Sequence, residues 1–111
     1  MNAIGDVGAA ALATVVARHA SLASLNLSDN DIGDDSAAAF AIALTQNTAI
    51  NRLNLAFNPI GNAGFISLVN ALKTNATLTS LNLAETLFDE QVVGVLVELL
   101  TTNKTLTEFG I

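Results

Sequence analysis

Cysteine is absent from this 111-residue chain. Disulfides and thiolate metal sites are therefore excluded, and the usage fits an intracellular, cytoplasmic protein. Tryptophan and tyrosine are also missing, and there is one proline and one histidine. His19 with no cysteine makes no zinc ligand set, and no Ser-His-Asp arrangement can be built around it. It is read instead as a residue at the end of a helix. No catalytic, metal-binding or cofactor-binding residue is assigned, and no cofactor is expected. No apolar run reaches the length of about eighteen residues that spans a bilayer. No basic start leads into a continuous apolar stretch, so no signal peptide is expected. Bases are scarce, with four Lys and Arg against ten Asp and Glu and a net charge of −6. This argues against nucleic acid and against an anionic membrane surface as partners.

Much of the acidity has a local cause. Asp6, Asp34, Asp35, Asp89 and Glu90 fall where helices are expected to begin, and there a negative charge meets the positive end of the helix dipole. Arg18, Lys73 and Lys104 fall near expected helix ends, where a cation is favoured.

What the chain has in abundance is repetition. A shift of 28 residues maps the sequence onto itself. The whole copies are 22–49, 50–77 and 78–105; a partial copy at 1–21 precedes them and a terminal strand at 106–111 follows. A fixed period of this size marks a solenoid. Each copy opens with alternating leucines: Leu25 and Leu27, Leu53 and Leu55, Leu81 and Leu83. Period two predicts a short half-buried strand. Asn30 and Asn58 follow, where an amide can bond the backbone of the turn and form a ladder between copies. Ile32-Gly33 and Ile60-Gly61 come next, the isoleucine to plug the core and the glycine to permit the turn.

A helix is predicted after each turn. Asp6, Asp34 and Asn62 are expected to be its N-caps. Ala37, Phe40, Ala41 and Leu44 in one copy, and Phe65, Leu68, Val69 and Leu72 in the next, form one apolar stripe at helical spacing. Asn47, Asn75 and Asn103 are expected to close the helices in the left-handed conformation. Strands need about 4.8 Å of lateral room and helices about 10 Å, so the stack curves with its strands inside.

The pattern L-x-x-L-x-L-x-x-N-x-I-G, carried best by LNLSDNDIG and LNLAFNPIG, resembles the leucine-rich repeat family. Among its members it is similar to the long-repeat subtype of ribonuclease inhibitor and NOD-like receptors. The resemblance implies a right-handed α/β solenoid, a horseshoe segment with parallel strands on the concave side and helices on the convex side. It also implies non-enzymatic protein recognition, usually through the concave face. The third copy departs from the pattern. Thr86 replaces the ladder asparagine, Phe88 and Asp89 replace Ile-Gly, and Val92 replaces the glycine seen at Gly8 and Gly64. Its turn is expected to be distorted.

In chain order, residues 1–20 form a helix without a preceding strand, with Val7, Leu12, Val15 and Val16 as its apolar side. Residues 106–111 form a last strand without a following helix, and Phe109 and Ile111 make its open edge sticky. Two readings follow, and they are compatible: a single repeat domain cut from a longer array, or copies that associate through uncapped ends. The concave columns are Ser24, Arg52, Ser80 and Glu108; Asn26, Asn54 and Asn82; Ser28, Ala56 and Ala84; and Asp29, Phe57 and Glu85. A partner patch is expected at Ser24, Asn26, Asp29, Arg52, Asn54, Phe57, Ser80, Asn82 and Glu85, centred on Arg52, Asn54 and Phe57. An outward aromatic beside an arginine is the composition of an interface anchor. The competing reading makes the asparagines duplicated polar filler and folds Phe57 back against its turn.

Other motifs carry less. Asp29 to Asp35 fails the EF-hand spacing, since Gly33 stands fifth and Phe40 twelfth. Asn26-Leu27-Ser28, Asn75-Ala76-Thr77 and Asn103-Lys104-Thr105 match the glycosylation sequon, two of them only because the repeat ends that way. The rival functions are a structural segment of a larger array with no ligand of its own, and a GTPase-activating accessory role that rests on fold analogy alone.

Overall fold

The computed structural model describes residues 4–18, 21–47 and 49–111. The elements run α1 (Gly5–Arg18), β1 (Ser24–Asn26), α2 (Asp34–Gln46), β2 (Arg52–Asn54), α3 (Asn62–Leu72), β3 (Ser80–Asn82), a 3₁₀ turn (Glu90–Val92), α4 (Val93–Thr102) and β4 (Glu108–Gly110). The four strands form one parallel sheet in sequence order. Equivalent residues pair across it, with Leu25 beside Leu53, Leu53 beside Leu81 and Leu81 beside Phe109. A shift of one repeat thus moves one strand along, and the chain is an α/β solenoid. The His19 reading lies outside the described residues.

The period-two leucines point into the core: Leu53, Leu55, Leu81 and Leu83 are at most 3% exposed. So do the helical stripes, with Ala37, Phe40, Ala41, Leu44, Phe65, Leu68, Val69 and Leu72 all buried. In α1 the expected side is wrong in part. Val16 is buried and Leu12 packs partly buried on the core, but Val7 is 88% and Val15 58% exposed. Ala9 and Ala13 take the inward places instead. They hold the phase of Ala37 and Ala41, so repeat phase outweighs side-chain size.

Three sets of polar side chains tie each repeat to its neighbour. At the strand exit, Asn58 is 2% exposed. Its Oδ1 accepts from the N–H of Asn30 and Ile32, and its Nδ2 donates to the carbonyls of Leu27, Leu55 and Ala56. At the helix exit, Nδ2 of Asn47, Asn75 and Asn103 donates to the carbonyls of Val16, Leu44 and Leu72, each on the preceding helix. Their Oδ1 atoms accept from the chain two and three residues on, as in Asn75 with Thr77 and Leu78. Asn47 and Asn103 have φ of −86° and −81°, and no helix-closing asparagine adopts the left-handed conformation expected of it.

The third set corrects the cap assignment. Gly33 and Gly61, not Asp34 and Asn62, hold the N-cap positions. Each acidic or amide residue caps the next helix along. Asp6 accepts from the Gly33 N–H and the Ser36 hydroxyl. Asp34 Oδ1 accepts from Gly61 at 2.7 Å and Gly64 at 2.9 Å. Asn62 accepts from the Asp89 N–H at 2.9 Å. Neither glycine makes a left-handed turn, for φ is −100° at Gly33 and −96° at Gly61, and only at Gly61 is the approach tight, a Cβ there lying 3.3 Å from Asp34 Oδ2.

The third copy is distorted as expected. A Cβ on Gly64 would lie 2.7 Å from Asp34 Oδ1 and 2.9 Å from the Ala37 Cβ. Val92 brings such a Cβ to that phase, and the helix start is replaced there by the 3₁₀ turn. Phe88 stacks tilted on Phe65 with ring centroids 4.4 Å apart. Thr86 is too short to reach the neighbouring turn and donates to the Leu83 carbonyl instead.

Two glycines inside helices give opposite expectations. Gly64→Ala should destabilise, since backbone-held neighbours must shift. Gly94→Ala meets nothing within 4 Å and should stabilise by up to about 1 kcal/mol. Urea unfolding midpoints of the two variants read both signs.

Acid should weaken the repeat junctions. The Ser36 hydroxyl and then the Gly33 N–H hold the Asp6 carboxyl below its ordinary value of 3.8. The Gln91 N–H and then the Asn62 amide do the same for Asp89. Both pKa values are depressed on folding, so their stabilisation is fully present above 3.8 and is lost as pH falls through the lower folded values. Thermal midpoints should fall below pH 3.8, and less so in Asp6→Asn.

Candidate protein-binding face

The strand register gathers six of the nine candidate residues. Ser24, Asn26, Arg52, Asn54, Ser80 and Asn82 line a shallow groove of about 240 Å³ on the strand face. The other three, Asp29, Phe57 and Glu85, stand just beyond the strand ends in a column of their own.

The asparagine column is more than filler. Asn26 Oδ1 accepts from the N–H and hydroxyl of Ser28 at 3.0 and 2.8 Å. Asn54 and Asn82 accept from the N–H groups of Ala56 and Ala84, both at 3.0 Å. A backbone N–H must face an oxygen, so these bonds fix each amide's orientation and leave its Nδ2 to the groove. Three amide donors one strand apart suit a surface that presents carbonyls or carboxylates.

Arg52 is engaged across the groove. It lies beside Ser80, which lies beside Glu108, and its guanidinium reaches over to Glu108 Oε1 at 3.5 Å. Both side chains are more than 60% exposed. Such a pair contributes little, about 0–1 kcal/mol, so a carboxylate from a partner can displace Glu108.

Phe57 does not fold back. It is 60% exposed. Asp29, Phe57 and Glu85 have φ of 57°, 59° and 55°, the left-handed region, and the repeat imposes this at every copy. At two of the three positions a bond to the next repeat accompanies it. The N–H groups of Asp29 and Phe57 are drawn to the carbonyls of Ala56 and Ala84 on the next strand, just before each chain turns into its ladder residue. Asp tolerates this conformation, but a bulky aromatic does so at a cost. No pattern in the sequence marked these dihedrals, because Phe is the residue least expected there.

The remaining motifs resolve structurally. Asp34 is turned to the next helix start, and no cluster of three or more His, Asp or Glu is placed to hold a metal among the described residues. Asn75 is buried with its amide committed to Leu44 and Asn47, which removes it as a glycan acceptor. No helix among the described residues is long and apolar enough to cross a membrane.

The family model described as Leucine Rich repeat matches residues 1–13, 18–41 and 46–69, more than half of the chain. The chain belongs to the leucine-rich repeat family. Comparison with curated protein sequences finds no match. Among solved structures, this leucine-rich repeat chain is similar to "Leiomodin-1 Actin-Binding Site 2 (ABS2)", with a TM-score of 0.91 and 24% identity over 97% of this chain and 67% of that one. It is also similar to a Caenorhabditis elegans tropomodulin C-terminal domain, with a TM-score of 0.79 and 14% identity over 91% of this chain and 62% of that one. At these identities the likeness is one of fold.

Relieving the strain at Phe57 should raise stability, since its ring is exposed. Phe57→Asn is expected to raise stability by about 1 kcal/mol, the scale of left-handed strain in a non-glycine residue. A lower urea midpoint in the variant would show that the Phe57 ring packs in a way its exposure contradicts.

Proposed function

We propose that this leucine-rich repeat chain is a non-enzymatic protein-recognition module that binds through its strand face. The observation that carries the proposal is Phe57. A large aromatic held outward at a cost in backbone strain is a feature that folding does not reward and binding does. Arg52 and the amide donors of Asn54 and Asn82 line the neighbouring strand-face groove, polar groups that supply specificity beside an apolar anchor. The 28-residue period supports the long-repeat subtype of ribonuclease inhibitor. Actin is the first partner to test, because the leiomodin-1 structure is titled as an actin-binding site and shares the fold over nearly the whole chain. The rival reading, an array segment with no ligand of its own, leaves Phe57 without a purpose.

A photo-crosslinking residue placed at Phe57, and separately at Ile42 on the helix side, tests both parts. With actin monomers and filaments as probes, adducts are expected at Phe57 and not at Ile42. Adducts at Phe57 with other proteins of a lysate but none with actin would remove actin and keep the strand face. Equal labelling at both positions, or at neither, would remove the strand-face reading. In the positive case Phe57→Ala should weaken the interaction by about tenfold or more, as loss of an anchor does.

A further inference from the structure

The strand face carries an ion pair whose two members come from strands that are not neighbours. Within the four strands Arg52 is the one base and Glu108 the one acid. β3 lies between them, with Arg52 beside Ser80 and Ser80 beside Glu108. Neighbouring strands stand about 4.8 Å apart, so the two backbones are roughly 10 Å apart. The side chains close that gap, Nη2 to Oε1 at 3.5 Å. The pair lies as a strap across β3 at Ser80.

The polar groups of the groove beside it are of one kind. Asn26, Asn54 and Asn82 each commit Oδ1 to a backbone N–H of their own repeat. An amide with its oxygen oriented in this way offers its Nδ2 donors outward. Arg52 has donors and no acceptor, and Ser24 and Ser80 flank it in register with hydroxyls that turn to suit a ligand. All six residues line the groove of about 240 Å³. A donor-lined groove calls for an acceptor, and the acceptor that reaches it from within the chain is the Glu108 carboxylate.

Charge limits how acidic a ligand can be. Asp29 and Glu85 stand at the margin, just beyond the ends of β1 and β3, and the chain has a net charge of −6. A run of acids is repelled by these groups, whereas one carboxylate between neutral residues meets Arg52 and the amides.

We propose that Glu108 is an internal stand-in for a partner's carboxylate. The groove takes one Asp or Glu side chain of a protein segment on Arg52, and Glu108 holds that seat until it arrives. The proposal rests on the strand-face reading and names the chemistry that face recognises. One ion pair is exchanged for another, so Glu108 lowers affinity without closing the groove. Exposed pairs are weak, and removing Glu108 should gain no more than about fivefold in affinity.

Nuclear magnetic resonance of the side-chain N–H signals reads the seat directly. The probes are two blocked peptides, acetyl-Ala-Glu-Ala-amide and its glutamine counterpart, taken to millimolar concentration. The glutamate peptide should shift the Arg52 Nε–H signal and the Nδ2–H signals of Asn54 and Asn82, and the glutamine peptide should not. Glu108→Gln should reach half-saturation at about two- to fivefold less glutamate peptide, and about 0.5 M salt should erase that gain. Arg52→Gln should lose the response while its backbone signals keep the folded pattern. Equal shifts with the glutamine peptide would overturn the stand-in. So would a Glu108→Gln chain that binds the glutamate peptide no more tightly than wild type, or not at all. Photo-crosslinking at Phe57 is independent of Glu108, so adducts there would keep the strand-face reading even where the stand-in fails.

Discussion

Every repeat of this chain depends on a buried polar group supplied by a neighbour. Strands of three residues and helices of ten to fourteen cannot satisfy their own ends. Each turn between them leaves N–H and C=O groups with nowhere local to go, and each unmet buried group costs about 1–3 kcal/mol. Asn58 makes the point most fully, for a single amide meets two donors and three carbonyls drawn from two repeats. Hydrophobic burial holds the layers together, but the fixed 28-residue register comes from these amides. An apolar core tolerates small slides, and a five-bonded amide does not.

The three inter-repeat sets are not equally complete. The helix-exit asparagines are intact in all three whole copies. The strand-exit ladder is complete only at Asn58. One step earlier, Asn30 donates to Ser28, but its Oδ1 is buried with no hydrogen-bond partner among the described residues. One step later, Thr86 keeps only a local bond. The capping series weakens along the chain too, from a carboxylate at Asp34 to an amide at Asn62. The strand-exit bonding is thus densest at the middle repeat, at Asn58. That suits a quasi-one-dimensional array, in which each unit is stabilised by its neighbours.

The sequence displayed the parts of this architecture that are periodic and local. Leu53 and Leu55 alternate and Phe65, Leu68, Val69 and Leu72 recur at helical spacing, because burial acts on each side chain singly. What it concealed is relational. Asp34 looks like an N-cap, and it is one, but for the helix 27 residues on. Asn75 looks like a helix terminator and is a clamp on the preceding helix. Val15 looks like a core residue in a lone helix and becomes an end-face residue once phase is counted against Ala43 and Ala71. For the candidate site the columns were legible, since strand alternation assigns Arg52, Asn54 and Asn82 to one face. The Arg52–Glu108 pair was not, because it skips a strand. Nor were the left-handed dihedrals of Asp29, Phe57 and Glu85, which recur in each whole copy regardless of residue type.

Those dihedrals set how this position of the solenoid presents a side chain. At Asp29 and Phe57 the backbone is held by a hydrogen bond to the next repeat, so a side chain there can change without altering that bond. Left-handed geometry turns the side chain away from the sheet, and it stays there because the strand beside it is rigid. A residue at that point has a fixed exit direction and few internal contacts to lose. Asp29 and Glu85 put charge there and Phe57 puts an apolar ring between them. On the proposed strand-face reading, an aromatic flanked by acids one strand away on either side would favour a partner pocket that is apolar at its centre and basic at its rim. The solenoid supplies the spacing, and the residue type at each copy sets the chemistry presented.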